Sequence, residues 1–170
     1  MRRKLVAGNW KMHGTRAFAA ELVASLAKAL PKSVDVAVIP PYPFIPGLVA
    51  EHAGSALAFG AQDLSEHAQG AYTGEVAGAM LRDIGCRYVL VGHSERRQYH
   101  AETSEQVARK FVAAQSAQLV PILCVGETLG QRESGQTLSV VQTQLEGGLE
   151  GVSKDQLTSI VVAYEPVWAI

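Results

Sequence analysis

The sequence is short of most features that mark a specialised class. It has two cysteines, Cys86 and Cys124, with no CxxC spacing. Neither a disulfide framework nor a zinc site is expected, and reduced thiols in a cytoplasmic protein are the simpler reading. Neither sign of charge is in excess: 15 Lys and Arg against 16 Asp and Glu leave a net charge of -1. Nucleic-acid binders usually show a basic surplus. No apolar run approaches the roughly 18 residues of a membrane helix. The basic start, Met1-Arg2-Arg3-Lys4, leads into an apolar stretch that breaks at Gly8-Asn9, too short for the core of a signal peptide. Linkers, low-complexity tracts and charge runs are also missing, so residues 1–170 read as one domain.

What is present is ordinary globular material, 48% hydrophobic and 18% charged. Short β-rich runs recur at Lys4–Ala7, Val34–Ile39, Leu57–Ala61, Tyr88–Val91, Val120–Val125 and Ser159–Tyr164. Several are apolar on consecutive positions, as in parallel strands covered on both faces. Helical segments separate them. Arg16–Leu30 carries Phe18, Leu22, Leu26 and Leu30 on one stripe before Pro31. Glu75–Ile84 ends at Gly85, which suits a C-cap. Thr103-Ser104-Glu105-Gln106 fits a capping box ahead of Val107–Gln118, and Thr137–Leu149 is a further helix. Pro40, Pro41, Pro43 and Pro46 crowd the segment where another helix would start.

Alternating βα units leave an α/β protein with two architectures, a doubly wound open sheet or a closed (β/α)8 barrel. A dinucleotide-binding sheet would show G-x-G-x-x-G after its first strand. Here that strand runs into Gly8-Asn9-Trp10-Lys11, so the barrel is the better reading.

In such folds the site lies at the carboxyl ends of the strands. Those positions hold Asn9 and Lys11, then Gln62 and Asp63, then His93, Ser94 and Glu95, then Cys124 and Gly126-Glu127, and finally Glu165. Singly, Lys11 reads as a solvated loop lysine, His93 as structural as readily as functional, and Glu165 as a surface carboxylate. Pro166, however, keeps Glu165 out of helical geometry and aims it off a strand end. If the strands close on one another, an acid, an imidazole and an ammonium share one mouth, which suits proton transfer on an anionic carbonyl compound. His13, His52, His67 and His100 read as solvent-facing, and Cys124 as a packed thiol.

These residues sit inside longer strings: Gly8-Asn9-Trp10-Lys11-Met12, Gly60-Ala61-Gln62, Gly70-Ala71-Tyr72-Thr73-Gly74-Glu75, Val91-Gly92-His93-Ser94-Glu95-Arg96-Arg97, Cys124-Val125-Gly126-Glu127 and Tyr164-Glu165-Pro166-Val167-Trp168-Ala169-Ile170. In order and spacing the chain resembles the triosephosphate isomerase family along its whole length. The resemblance implies a TIM barrel, of which these residues supply about six strands. It also implies interconversion of dihydroxyacetone phosphate and glyceraldehyde 3-phosphate, in the cytoplasm, within glycolysis and gluconeogenesis. It implies no cofactor and no metal, a phosphorylated triose as the small-molecule partner, and a homodimer.

Carried over residue by residue, the resemblance makes Glu165 the base and His93 the electrophile. Lys11 offsets substrate charge, Asn9 orients it and Glu95 is a supporting acid. Thr73, Glu75 and Arg96 become dimer contacts, and Pro166, Val167 and Trp168 the hinge of a lid. Ser94-Glu95-Arg96-Arg97 looks like a helical start, whose dipole disfavours imidazolium at His93. The resemblance also implies that this imidazole acts as an electrophile in its neutral form.

Two other readings compete. Gly92-His93-Ser94-Glu95-Arg96 approaches the G-x-S-x-G nucleophile elbow of serine-type α/β hydrolases, but its last position is arginine. The other is an inactive barrel fragment. A complete barrel typically takes about 250 residues and often builds its phosphate site after strands 7 and 8. The sequence reads as incomplete at its C-terminus, ending inside the lid with the edges of its first and last strands exposed. On that reading the isolated 170-residue chain is expected to be inactive or nearly so.

Overall fold

A computed structural model describes residues 4–170; the basic start at residues 1–3 lies outside them. Six parallel strands form one sheet in the order β1-β2-β3-β4-β5-β6. They are β1 (Lys4–Asn9), β2 (Val34–Ile39), β3 (Ala58–Ala61), β4 (Tyr88–Val91), β5 (Val120–Val125) and β6 (Val161–Tyr164). A doubly wound sheet reverses its strand order at a switch point. Strictly sequential order is instead the winding of a barrel. The register brings Asn9 level with Ile39 and Val125 level with Tyr164, so the carboxyl ends line up.

Among the described residues, seven α-helices accompany the strands: α1 (Arg16–Lys28), α2 (Ile45–Glu51), α3 (Gly78–Asp83), α4 (Ser94–Tyr99), α5 (Ser104–Ser116), α6 (Leu129–Glu133) and α7 (Thr137–Gly148). Strand alternation sorts the core into two faces. Val89, Val91, Leu123 and Val125 pack with Phe111 and Val107 of α5 on the helix side. Ala37, Ile39, Tyr88, Leu90, Ile122 and Cys124 fill the opposite, inner face, joined by Leu5, Ala58, Val161 and Ala163. That parity carries Asn9, at the end of its strand, and Gln62 and Glu165, one residue beyond theirs, onto the inner face.

Several expected boundaries shift for local reasons. Glu75–Ala77 stay outside α3 because the Val76 carbonyl accepts from Ser65 N–H at 2.8 Å, and Ala77 is extended. The start expected for β6 at Ser159 is taken by a short 3-10 turn over Asp155–Ser159. The buried stripe of α1 is Ala19 and Val23. Phe18 is displaced to the rim, 51% exposed, with its ring edge-on to Trp10. The crowded prolines resolve into a 3-10 turn, Tyr42–Phe44, followed by α2. The capping box at Thr103 and Gln106 forms as expected, while α6, unforeseen in the sequence, is started by a second one at Thr128 and Gln131. Gly85, with φ +92°, follows α3 as its sequence position implies.

Candidate active site

The inner-face strand ends converge. His93 Nε2 lies 3.3 Å from Glu165 Oε2, and Lys11 Nζ lies 2.9 Å from Glu95 Oε1. Glu95 is also 3.7 Å from His93 Nδ1 through its other carboxylate oxygen. His93 is the buried member, with a side chain 7% exposed, whereas that of Glu165 is 44% exposed. An imidazole packed at the floor with carboxylates and an ammonium around it is an acid–base site open to a small solute.

Each of these side chains has a local cause. Glu165 N–H donates to Val125 O at 2.8 Å, prolonging the β5–β6 ladder by one residue. Pro166 then turns the chain at φ -62°, ψ 119°. His93 follows Gly92, whose φ of +71° reverses the chain at the end of β4. A side chain at Gly92 would be strained there and would meet Arg97 Nη2 at 2.9 Å. Arg97 Nε holds the Gly92 carbonyl at 3.0 Å. The backbone N–H of Glu95 donates to His93 Nδ1 at 3.2 Å. A donor there requires a lone pair on Nδ1, which leaves the ring proton on Nε2, the nitrogen that faces Glu165.

Lys11 has φ +52°, the left-handed region. Asn9 Oδ1 accepts its N–H at 3.0 Å. Gln62 Nε2 donates to the Lys11 carbonyl at 2.8 Å and to the Ile39 carbonyl at 3.1 Å. Cys124 is a packed thiol, as expected; burial first, then the charge of Glu165, push it up to about 12. A cavity of about 500 Å³ opens beside Glu165, bordered by Ser94, Arg97, Cys124, Gly126 and Val167.

Three groups were not assigned roles from the sequence. Gln62 and Glu127 occupy strand ends and were visible by position, but nothing in the sequence told what they hold. Glu127 is fully buried and accepts from Trp168 Nε1 at 3.0 Å and from Tyr164 OH at 3.1 Å. The Trp168 bond, aided by Tyr164 and Arg132, holds its carboxyl below the usual range. Gln144 of α7 clasps Gly126 from both sides, accepting from its N–H at 2.8 Å and donating to its carbonyl at 3.1 Å. No sequence pattern marked it.

The expected dimer contacts sit elsewhere on the molecule. Thr73 and Glu75 are exposed on the loop after β3, beside a stacked pair, His67 on Tyr72. Within this chain Arg96 is bound to Asp63 at 3.0 Å and to Glu102 at 3.3 Å. Lys110 pairs with the same two carboxylates. The hydrolase reading loses its nucleophile: Ser94 Oγ is buried without a hydrogen-bond partner, and the adjacent imidazole is bound elsewhere. Of the other histidines, His52 is half-buried and the rest are exposed. Among the described residues no group of His, Cys, Asp and Glu could hold a metal ion, and no helix is long and apolar enough to cross a membrane.

Sequentially wound strands with acid–base groups at their carboxyl ends define a proton-transfer isomerase built on a (β/α) barrel sheet. The triosephosphate isomerase family model matches residues 4–170. The triosephosphate isomerase of Stenotrophomonas maltophilia strain K279a is 61% identical over all of this chain, which spans 68% of that relative. The one from Xanthomonas campestris pv. campestris strain 8004 is 58% identical with the same coverage. The crystal structure of triosephosphate isomerase from Bartonella henselae superposes with a TM-score of 0.91 at 35% identity, covering 98% of this chain and 69% of that one. The chain belongs to the triosephosphate isomerase family. Its class is therefore isomerase, with a triose phosphate as substrate.

Proposed function

We propose that this site interconverts dihydroxyacetone phosphate and glyceraldehyde 3-phosphate through an enediol(ate). The observation that carries the reading is the opposition of the Glu165 carboxylate and the His93 Nε2–H across the mouth.

Glu165 takes the proton from the carbon beside the carbonyl. The released electron pair forms the carbon–carbon double bond, and the carbonyl π pair moves onto oxygen. His93 Nε2–H donates to that oxygen, and its partner N–H from Glu95 keeps the ring in the donating tautomer. His93 passes its proton to that oxygen and takes the hydroxyl proton of the neighbouring oxygen, whose pair forms the new carbonyl. The double-bond pair takes the proton back from Glu165 at the neighbouring carbon. Lys11 places a cation beside the anionic substrate. Asn9 supports it from the backbone side, and Glu95 positions its ammonium. No oxidation state changes overall, so the reaction calls for no redox cofactor.

Pro166, Val167 and Trp168 act as a lid hinge. Val167 N–H is held by the Glu127 carbonyl at 2.9 Å and the Trp168 indole by the Glu127 carboxylate, so one residue latches both. The exposed Thr73 and Glu75 loop, with Arg96, serves a homodimer interface, and the protein works in the cytoplasm. The chemistry is tested by turnover in heavy water: glyceraldehyde 3-phosphate should give dihydroxyacetone phosphate carrying deuterium at the carbon that gained the proton. Product formed with full retention of the migrating hydrogen, unchanged in any solvent isotope, would point to hydride transfer and overturn the reading. Sedimentation at varied concentration tests the dimer.

A further inference from the structure

Lys11 has a left-handed conformation, and side chains take both of its backbone polar groups. Its N–H is taken by Asn9 and its carbonyl by Gln62. A non-glycine residue stays in that region only where surrounding contacts over-determine it. Asn9 lies two residues from Lys11 in the chain, but Gln62 comes from the far side of β2, beyond β3. Its amide nitrogen spans two carbonyls, of Lys11 and of Ile39, the last residue of β2. The Ile39 carbonyl in turn accepts from Trp10 N–H at 3.1 Å. The turn that carries Lys11 is thus tied down at Trp10 and at Lys11 itself, both through the end of β2.

The chemistry of the clamp is specific. Both partners are acceptors, so the position needs two donors on one atom and no net charge beside the lysine. A glutamine amide supplies that, whereas glutamate offers acceptors only and methionine offers neither. Gln62 is half-buried and lies on the inner-face parity, next to the site but bonded to backbone.

We propose that Gln62 is a positioning residue: it fixes the strained Lys11 backbone so that the ammonium is aimed into the mouth. This rests on the charge-offsetting role given to Lys11 above.

The test is a double-mutant cycle in the protein that carries this sequence, with Gln62→Met, Lys11→Met and the pair. Kinetics are measured on glyceraldehyde 3-phosphate and, as an uncharged control, on glyceraldehyde. Gln62→Met should cut kcat/KM on the phosphorylated substrate by about tenfold, the scale of one hydrogen bond. Activity on glyceraldehyde should change little, and in the Lys11→Met background Gln62→Met should add no further loss. Equal losses in both backgrounds, or equal losses on both substrates, overturn the proposal and leave the Lys11 role standing. A Lys11→Met protein as active as wild type on the phosphorylated substrate overturns that role and the proposal with it. Gln62→Glu, which keeps the shape and loses the donors, is read in the same way. If both Gln62 variants fail to fold, the residue serves the fold rather than the lysine, and the proposal falls.

Discussion

Glu127 accepts from Trp168 while its own backbone carbonyl holds Val167 N–H, so one buried residue at the end of β5 latches the segment that follows Glu165. The latch has a pH signature. Its carboxyl is held below the ordinary glutamate value of 4.5, chiefly by the Trp168 bond. A carboxyl depressed by folding adds stability that is complete above the ordinary value and is lost as pH falls through the depressed one. Melting curves of wild type and Glu127→Gln should therefore differ most near neutrality and converge below 4.5. A difference that stays constant into acid would show that the charge is not what holds the segment.

Removing the base should be felt in turnover. Glu165→Gln keeps the shape and loses the proton acceptor, so kcat should fall by about 10²–10⁴-fold with KM little changed. Steady-state assays with matched melting temperatures check this.

The imidazole is expected to act as donor rather than as cation. His93→Gln retains a donor near the same place, and kcat should fall by about 10²–10³-fold. In the wild type, nitrogen-detected NMR should find the proton on Nε2 and a bare Nδ1, as the Glu95 N–H bond requires.

Gly126 is set by contact with the catalytic strand. A methyl group there would fall onto the backbone carbonyl of Glu165, with no flexible side chain to give way. Gly126→Ala should destabilise by about 1–3 kcal/mol and displace the base, lowering kcat as well. Urea unfolding and kinetics on the same samples separate the two effects.

Lys110 is the buried cation between Asp63 and Glu102. Burial pushes Asp63 up, and the lysine opposes that. Lys110→Met would strand two carboxylates, at a cost of about 3–5 kcal/mol by analogy with other broken buried pairs. A loss below about 1 kcal/mol in urea unfolding would show that Arg96 alone compensates them.

Much of this molecule is decided along the chain. The apolar strand runs, the Thr103 capping box and the glycine after α3 are local consequences of residue type, and the structure carries them out. That Asn9, Gln62 and Glu165 share one face was not legible there, because strands apolar on consecutive positions do not say which face is inner; the packing decides it. The winding order that brings His93 to Glu165 is likewise a tertiary matter. Nothing in the spacing of those two residues specifies 3.3 Å, because that distance depends on how helices packed on one side curl the sheet on the other. The latch at Glu127 and the clamps at Gln62 and Gln144 were invisible for the same reason. Their partners are backbone groups and side chains remote in sequence, and a buried polar group takes whichever partner tertiary packing brings within reach. The sequence by itself determined the six strands, most of the helices and the chemical groups offered at the strand ends. Only the tertiary structure decided which of those groups meet, because hydrogen bonds across strands form where the backbone places donor and acceptor about 3 Å apart.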